Sequence, residues 1–198
     1  MRRGSHGVAA VVLLAAAALA RASGPNAHAV DQNPSSPVIR PRLPEPETTL
    51  QSDVKAKYLR VGLRIVPKPV NPGDRVTLIA DVTPGPSMHV YAPEQSGYIP
   101  VALKLTSSPD YAGQPAKFPA PTTFYYEPLK ESVKVFDKPF RIQQDVTIAR
   151  TAAVLSRAKA GEPVSVSGTL SYQACDDAVC YRPDSVAVAW TVALAHPK

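Results

Sequence analysis

Two cysteines, Cys175 and Cys180, are the only thiol chemistry in a chain of 198 residues. They stand in the segment Tyr172-Gln173-Ala174-Cys175-Asp176-Asp177-Ala178-Val179-Cys180-Tyr181-Arg182-Pro183. Two antiparallel strands joined by so short a loop bring flanking Cα atoms to about 4.5–5.5 Å, within reach of a disulfide. The residues before the pair alternate, with Val164, Val166, Leu170 and Tyr172 apolar and Ser165, Ser167, Thr169, Ser171 and Gln173 polar. Cys175 is in phase with the polar set, so parity predicts a surface-accessible bond across a hairpin mouth. Such a bond is either a redox couple or a staple. A staple over so short a loop removes little unfolded-state entropy, worth about 2 kcal/mol, and spacing alone leaves both readings open. Two sulfurs supply half a zinc site and no Cys-x2-Cys or His-x3-His partner accompanies them, so neither metal nor other cofactor is expected. Asp176 and Asp177 disfavour a further negative charge, which predicts free thiols titrating at or above about 8.5.

Other side chains gain interest from their position. His89 and Tyr91 share strand parity, opposite to Met88 and Val90, and can line a face beside the cysteines; the plainer reading makes them ordinary exposed strand residues. A copper site at Met88-His89 on the pattern of a carrier with an N-terminal histidine would need processing before His28, with Pro25 at −3, and is not favoured. Phe124, Tyr125 and Tyr126 form an aromatic run in the polar, proline-rich stretch 119–130. Three consecutive aromatics cannot all face one side of a strand, so at least one covers another surface or packs on the sandwich edge. Trp190 alternates with Val188 and Val192 and reads as core. Arg182 reads as an exposed arginine.

The elements that must position these residues are strands. Leu59, Val61, Leu63 and Ile65 alternate with polar residues, as do Val76, Leu78, Ala80 and Val82 after the turn Asn71-Pro72-Gly73-Asp74. Val101, Leu103 and Leu105 mark a further strand. Phe140, Ile142, Val146 and Ile148 mark another, with Gln144 as a misfit, and Val186 to Leu194 close the pattern. One helix is expected over 151–160, ended by Gly161. Many short alternating segments separated by turns predict an all-β, antiparallel β-sandwich over residues 53–198. The 22 prolines argue against long helices.

Ahead of this domain, Arg2 and Arg3 precede an apolar stretch over 8–20, shorter than the ~20 residues of a membrane span. Small-x-small sites end at Ala20, Ala22 and Ala29, so residues 1–29 read as a cleaved signal peptide and the destination as the periplasm. Cleavage after Ala22 or Ala29 removes Arg2, Arg3 and Arg21, which takes the formal charge from +6 to +3. No Lys/Arg cluster is left, which argues against nucleic acid as a partner, and no stable membrane insertion is expected. Residues 30–52, with Pro34, Pro37, Pro41, Pro44 and Pro46, read as an extended linker. An oxidising destination makes a disulfide the default state of the cysteine pair.

Tyr-Gln-x-Cys followed by four residues and Cys-Tyr-x-Pro resembles the periplasmic N-terminal domain of the thiol:disulfide interchange protein DsbD. Met88-His89-Val90-Tyr91 with Gly97-Tyr98-Ile99-Pro100 is similar to that family's aromatic strand, and Phe124-Tyr125-Tyr126 to its cap loop. The resemblance spans about residues 58–194. It implies an immunoglobulin-like fold, a redox-active Cys175–Cys180 disulfide, mixed disulfides formed at Cys180, and the aromatic run lying over the cysteines. It also implies partners: thioredoxin-like periplasmic proteins and a membrane-embedded electron donor, expected here on another chain. The alternative is a non-catalytic sandwich that binds or scaffolds a partner and keeps its hairpin disulfide for structure. Thr122 and Thr123 stand where the family often carries acids before its cap aromatic, so no proton-handling role transfers to them.

Overall fold

The computed structural model describes residues 48–66 and 68–196. The expected signal peptide, 1–29, and most of the expected linker lie outside the described residues. Among the described residues the strands run β1 (Thr49–Lys55), β2 (Leu59–Ile65), β3 (Arg75–Pro84), β4 (His89–Tyr91), β5 (Ala102–Leu105), β6 (Tyr111–Gly113), β7 (Thr122–Tyr126), β8 (Glu131–Phe136) and β9 (Phe140–Ile148). Helix α1 (Ala152–Ala160) follows, then β10 (Val164–Tyr172), β11 (Ala174–Cys175) and β12 (Asp184–Val192). They form three antiparallel sheets, β1-β2-β3-β9-β6, β12-β10-β5 and β11-β4-β8-β7. The protein is an all-β, immunoglobulin-like sandwich.

Period-two alternation builds the two larger sheets. Val61, Leu63, Leu78, Val82, Ile142 and Ile148 from the first meet Val166, Leu170, Trp190 and Val192 from the second in one buried core. The alternation places Trp190 inward, and its indole N–H, which must find an acceptor when buried, donates to the Ile79 carbonyl of the facing sheet at 3.1 Å. At Gly168 an added Cβ would lie 2.6 Å from the Lys104 carbonyl oxygen, so the missing side chain lets β5 close against β10. Thr151 caps α1 by accepting from the Val154 N–H, and Gly161, at φ 71°, ends it in the left-handed region.

The first strand starts inside the segment expected to be linker, ahead of the boundary at residue 53. β1 is an exposed edge strand with a register shift between Leu50 and Ser52. None of its residues is buried, and only Ser52 and Val54 are half-buried, so its alternation is faint. No helix among the described residues is long and apolar enough to cross a membrane.

Candidate functional site

The third sheet projects one face into the main core and turns the other outward. Val90, Phe136 and Ala174 point to the core. Tyr91, Val133, Val135 and Cys175 make a separate cluster on the opposite face, with Tyr98, Phe124 and Cys180 packed against it. The cysteines reach that face because β10 stops at Tyr172 and the chain changes sheets. After Gln173 it resumes as β11, where Ala174 pairs with Val90 and Cys175 with His89. Gln173 holds the crossing: its amide N–H donates to the Tyr181 carbonyl at 3.0 Å, and its Oε1 accepts from the Ile99 N–H at 3.4 Å.

The change of sheet overturns the expectation of a surface-accessible pair. Parity counts only along an unbroken strand, and both Ala174 and Cys175 are buried. Cys175 is bonded to Cys180, Cα atoms 4.0 Å apart. The bond is one-sided, with Cys175 fully enclosed and Cys180 half-buried.

The Tyr91 hydroxyl stands beside the disulfide, 3.3 Å from Cys180 Sγ and 3.5 Å from Cys175 Sγ. His89, the register partner of Cys175, is buried, its ring 4.7 Å from the Phe124 ring and edge-on to Tyr91 at 6.0 Å. The aromatic run is a strand and not a loop: β7 pairs with β8 along its whole length. Its alternation splits the three rings. Phe124 packs over the disulfide cluster. The Tyr126 hydroxyl donates to the Ala178 carbonyl of the cysteine hairpin at 3.2 Å. Tyr125 falls on the other side, 53% exposed, and is not brought to the cysteines.

A family model described as "Thiol:disulfide interchange protein DsbD, N-terminal" matches residues 55–191. The chain belongs to the DsbD N-terminal domain family. The sequence has no significant match among curated proteins. Among solved structures it is similar to the N-terminal periplasmic domain of ScsB from Proteus mirabilis, at 14% identity and a TM-score of 0.48. That match covers 73% of this chain and 51% of the other, so the chain spans about half the length of that protein. It is also similar to the GAE domain of GGA2p from Saccharomyces cerevisiae, at 6% identity and a TM-score of 0.39, over 71% of this chain and 96% of that one.

In this DsbD N-terminal domain the electrostatics follow burial. Enclosure pushes the Tyr91 phenol up to about 12, with Glu131 and then Tyr126 adding to the shift. Burial takes His89 below its ordinary 6.5 against the pull of Asp177, Asp137 and Asp176, so the imidazole is neutral at pH 7. Asp176 shapes the hairpin loop. Its Oδ1 accepts from the Ala178 and Val179 N–H groups at 2.9 and 2.7 Å, and its Oδ2 from the Tyr181 hydroxyl at 2.8 Å. The Tyr181 ring in turn stacks on Tyr58, centroids 4.4 Å apart.

The bonds to Ala178 and Val179, then that to Tyr181, hold the Asp176 carboxyl below its ordinary 3.8. A depressed carboxyl stabilises the fold fully above its ordinary value and loses that contribution as pH falls through the lower, folded value. The Ala178 and Val179 amide signals are therefore expected to titrate together with a midpoint below 3.8. Independent midpoints in an NMR titration, or one above that value, would contradict the Asp176 turn.

The sequence pointed to Cys175, Cys180, His89, Tyr91, Phe124, Tyr125 and Tyr126; the structure brings the first five together, ties Tyr126 to the cysteine hairpin and leaves Tyr125 aside. It adds Tyr98, Glu131, Gln173 and the Tyr58–Tyr181 stack. The pattern Gly97-Tyr98-Ile99-Pro100 signalled the first of these. Glu131 carried no signal, because its partner Tyr98 is 33 positions away.

Proposed function

We propose that this chain is a periplasmic thiol–disulfide exchange module that relays electron pairs through Cys175–Cys180. Electrons come from a membrane-embedded donor by way of a thioredoxin-like dithiol and leave to oxidised thioredoxin-like proteins. The observation that carries the reading is a phenol within 3.5 Å of both sulfurs of a disulfide, one reachable and one enclosed, in a DsbD N-terminal domain.

The asymmetry gives the reaction a direction. A partner thiolate approaches Cys180 Sγ, since Cys175 is shut off from solvent. A new S–S bond forms to Cys180, the Cys180–Cys175 bond breaks, and its electron pair passes to Cys175 Sγ. A buried thiolate has little water to hydrate it, and a hydrogen bond to the charged form offsets that loss. The Tyr91 O–H, 3.5 Å away, is placed to give it. The partner's second thiol then attacks its own sulfur in the mixed disulfide and releases Cys180. Two electrons and two protons have moved to this chain. Delivery to an oxidised acceptor is the same sequence reversed.

The surroundings suit a protein partner. Ile99, Leu129 and Val179 are exposed apolar side chains. They lie on the loop after β4, the β7–β8 hairpin and the cysteine hairpin, three segments joined by the Tyr126–Ala178, Tyr98–Glu131 and Ile99–Gln173 contacts. Exposed apolar side chains on the segments that join the cysteine hairpin favour docking over free exchange with small thiols.

Equilibration against a thioredoxin couple, near −270 mV, tests the reading. A relay disulfide is expected to come to equilibrium with it, both forms being populated. Structural disulfides of secreted proteins lie below about −300 mV, and a bond that stays oxidised throughout would make Cys175–Cys180 a staple.

A further inference from the structure

The side chains that hold the reactive bond continue beyond Tyr91. The Tyr98 ring lies flat on the Tyr91 ring, centroids 4.2 Å apart and planes 22° apart. The Tyr98 hydroxyl donates to Glu131 Oε1. Tyr98 belongs to the loop after β4, and Glu131 opens β8, where it pairs with Tyr126. Both are half-buried. A phenol bonded to a carboxylate is a charge-assisted pair, stronger than a neutral one. It fixes Tyr98, and a fixed Tyr98 leaves Tyr91 one face to rest on while its hydroxyl meets the sulfurs. The ring is confined on its remaining side by His89, edge-on.

A donor helps a reaction most when it is already aimed at the place where charge develops, because it then needs no reorientation as the bond breaks. We propose that Glu131, acting through Tyr98, is a positioning residue for disulfide exchange: it clamps Tyr98 against Tyr91 and keeps the Tyr91 hydroxyl aimed at the departing Cys175 sulfur. The proposal rests on the reading of Cys175–Cys180 as an exchanging bond. Glu131 serves here as an acceptor. Its charge as such opposes the negative charge that the attacking thiolate brings, so a neutral side chain with an oxygen in the same place can do the same work. The carboxylate also supports Tyr91 as a phenol, behind burial as the larger cause.

The test compares Glu131→Ala, Glu131→Gln, Tyr98→Phe and the Glu131→Ala/Tyr98→Phe double variant, each as the full chain with its disulfide formed. Dithiothreitol is the probe: its two thiols give up the electron pair and close to a cyclic disulfide as Cys175 and Cys180 become thiols. Losing a whole preorganised donor costs about 10²–10³ in rate, so loosening one predicts roughly five- to tenfold slower reduction in Glu131→Ala and in Tyr98→Phe. Residues acting in series are non-additive, so the double variant is expected to be no slower than the slower single one. Glu131→Gln is expected to recover most of the lost rate. Unchanged or faster reduction in Glu131→Ala would overturn the clamp, as would additive losses in the double variant.

A second readout needs no exchange. With tyrosine labelled at Cζ, the Tyr91 signal of the oxidised protein is expected to titrate lower in Glu131→Ala than in the parent. An unmoved Tyr91 titration overturns the clamp with the exchange reading intact. A parent disulfide that dithiothreitol does not reduce overturns the exchange reading itself.

Discussion

Cys175→Ala is expected to trap thioredoxin-like partners as stable mixed disulfides, and Cys180→Ala to trap none. The single thiol left by the first change is half-buried at the hairpin's return; the one left by the second is fully enclosed. Attack on or by sulfur requires access along the S–S axis, so the two variants differ in what can reach them before any difference in thiol acidity counts. The expected gap in alkylation rate by a small iodoacetyl reagent is on the order of a hundredfold or more in favour of Cys180. Both variants lose exchange turnover completely, because Cys175→Ala removes the resolving thiol and Cys180→Ala the one that partners reach. In Cys175→Ala the mixed disulfide has no internal thiol to cleave it, which is why it accumulates. Gel-shift of the trapped adduct and stopped-flow alkylation check the two halves separately. Equal reactivity, or a faster Cys175, would reverse the order of attack argued above and move Tyr91 from the leaving sulfur to the attacked one.

How far the sequence leads to this site depends on where alternation survives. β2, β3, β9, β10 and β12 each keep one buried face over seven to ten residues; β2, β9 and β10 start and stop with their alternation, whereas β12 runs Asp184–Val192, two residues ahead of the Val186–Leu194 pattern. The helix is legible from Thr151 and Gly161, whose capping roles are local chemistry. The same argument fails at Cys175. Extrapolating the β10 parity through Gln173 puts the sulfur in solvent, whereas the chain leaves one sheet there and enters another. Gln173 supports the crossing with contacts to Ile99 and Tyr181, 74 and 8 positions away. Contacts of that kind leave no periodic trace. The aromatic run shows the opposite case. Period two was the reason for splitting Phe124, Tyr125 and Tyr126 between surfaces, and the split is observed, although the run is a paired strand and not the loop its prolines suggested. The motif around the cysteines indicated the family where composition could not, and the family model over 55–191 agrees with it.

The other large effect is expected at Phe124. Its ring lies on the outward face of the third sheet, against His89 and the disulfide cluster, while its β8 partner Val133 is buried beneath the same patch. With Cys175 already enclosed, the remaining approach to the bond is at Cys180, and Phe124 packs against the cluster that includes it. Phe124→Ala removes that cover without removing a hydrogen bond. Reduction by dithiothreitol is therefore expected to speed up on the order of tenfold, because access to sulfur enters the rate alongside thiol acidity. The half-buried ring contributes packing as well, so about 1 kcal/mol of stability goes with it, less than the cost of emptying a fully buried site. Tyr125→Ala, whose side chain points away at 53% exposure, separates cover from general loosening of the strand: it changes the same hairpin and leaves the rate within about twofold. Tyr126→Ala falls between, since it releases the tie to Ala178 but leaves Phe124 in place. Rates ordered Phe124→Ala, then Tyr126→Ala, then Tyr125→Ala, measured with melting temperatures to set stability aside, mark the ring as a lid. Three equal rates would make the run an ordinary edge hairpin. On the proposed relay, a lid that slows small thiols while a docking partner displaces it would let an exchanging bond discriminate between them: the apolar side chains Ile99, Leu129 and Val179 offer a protein partner binding energy to move Phe124, which a molecule the size of glutathione has too little surface to supply.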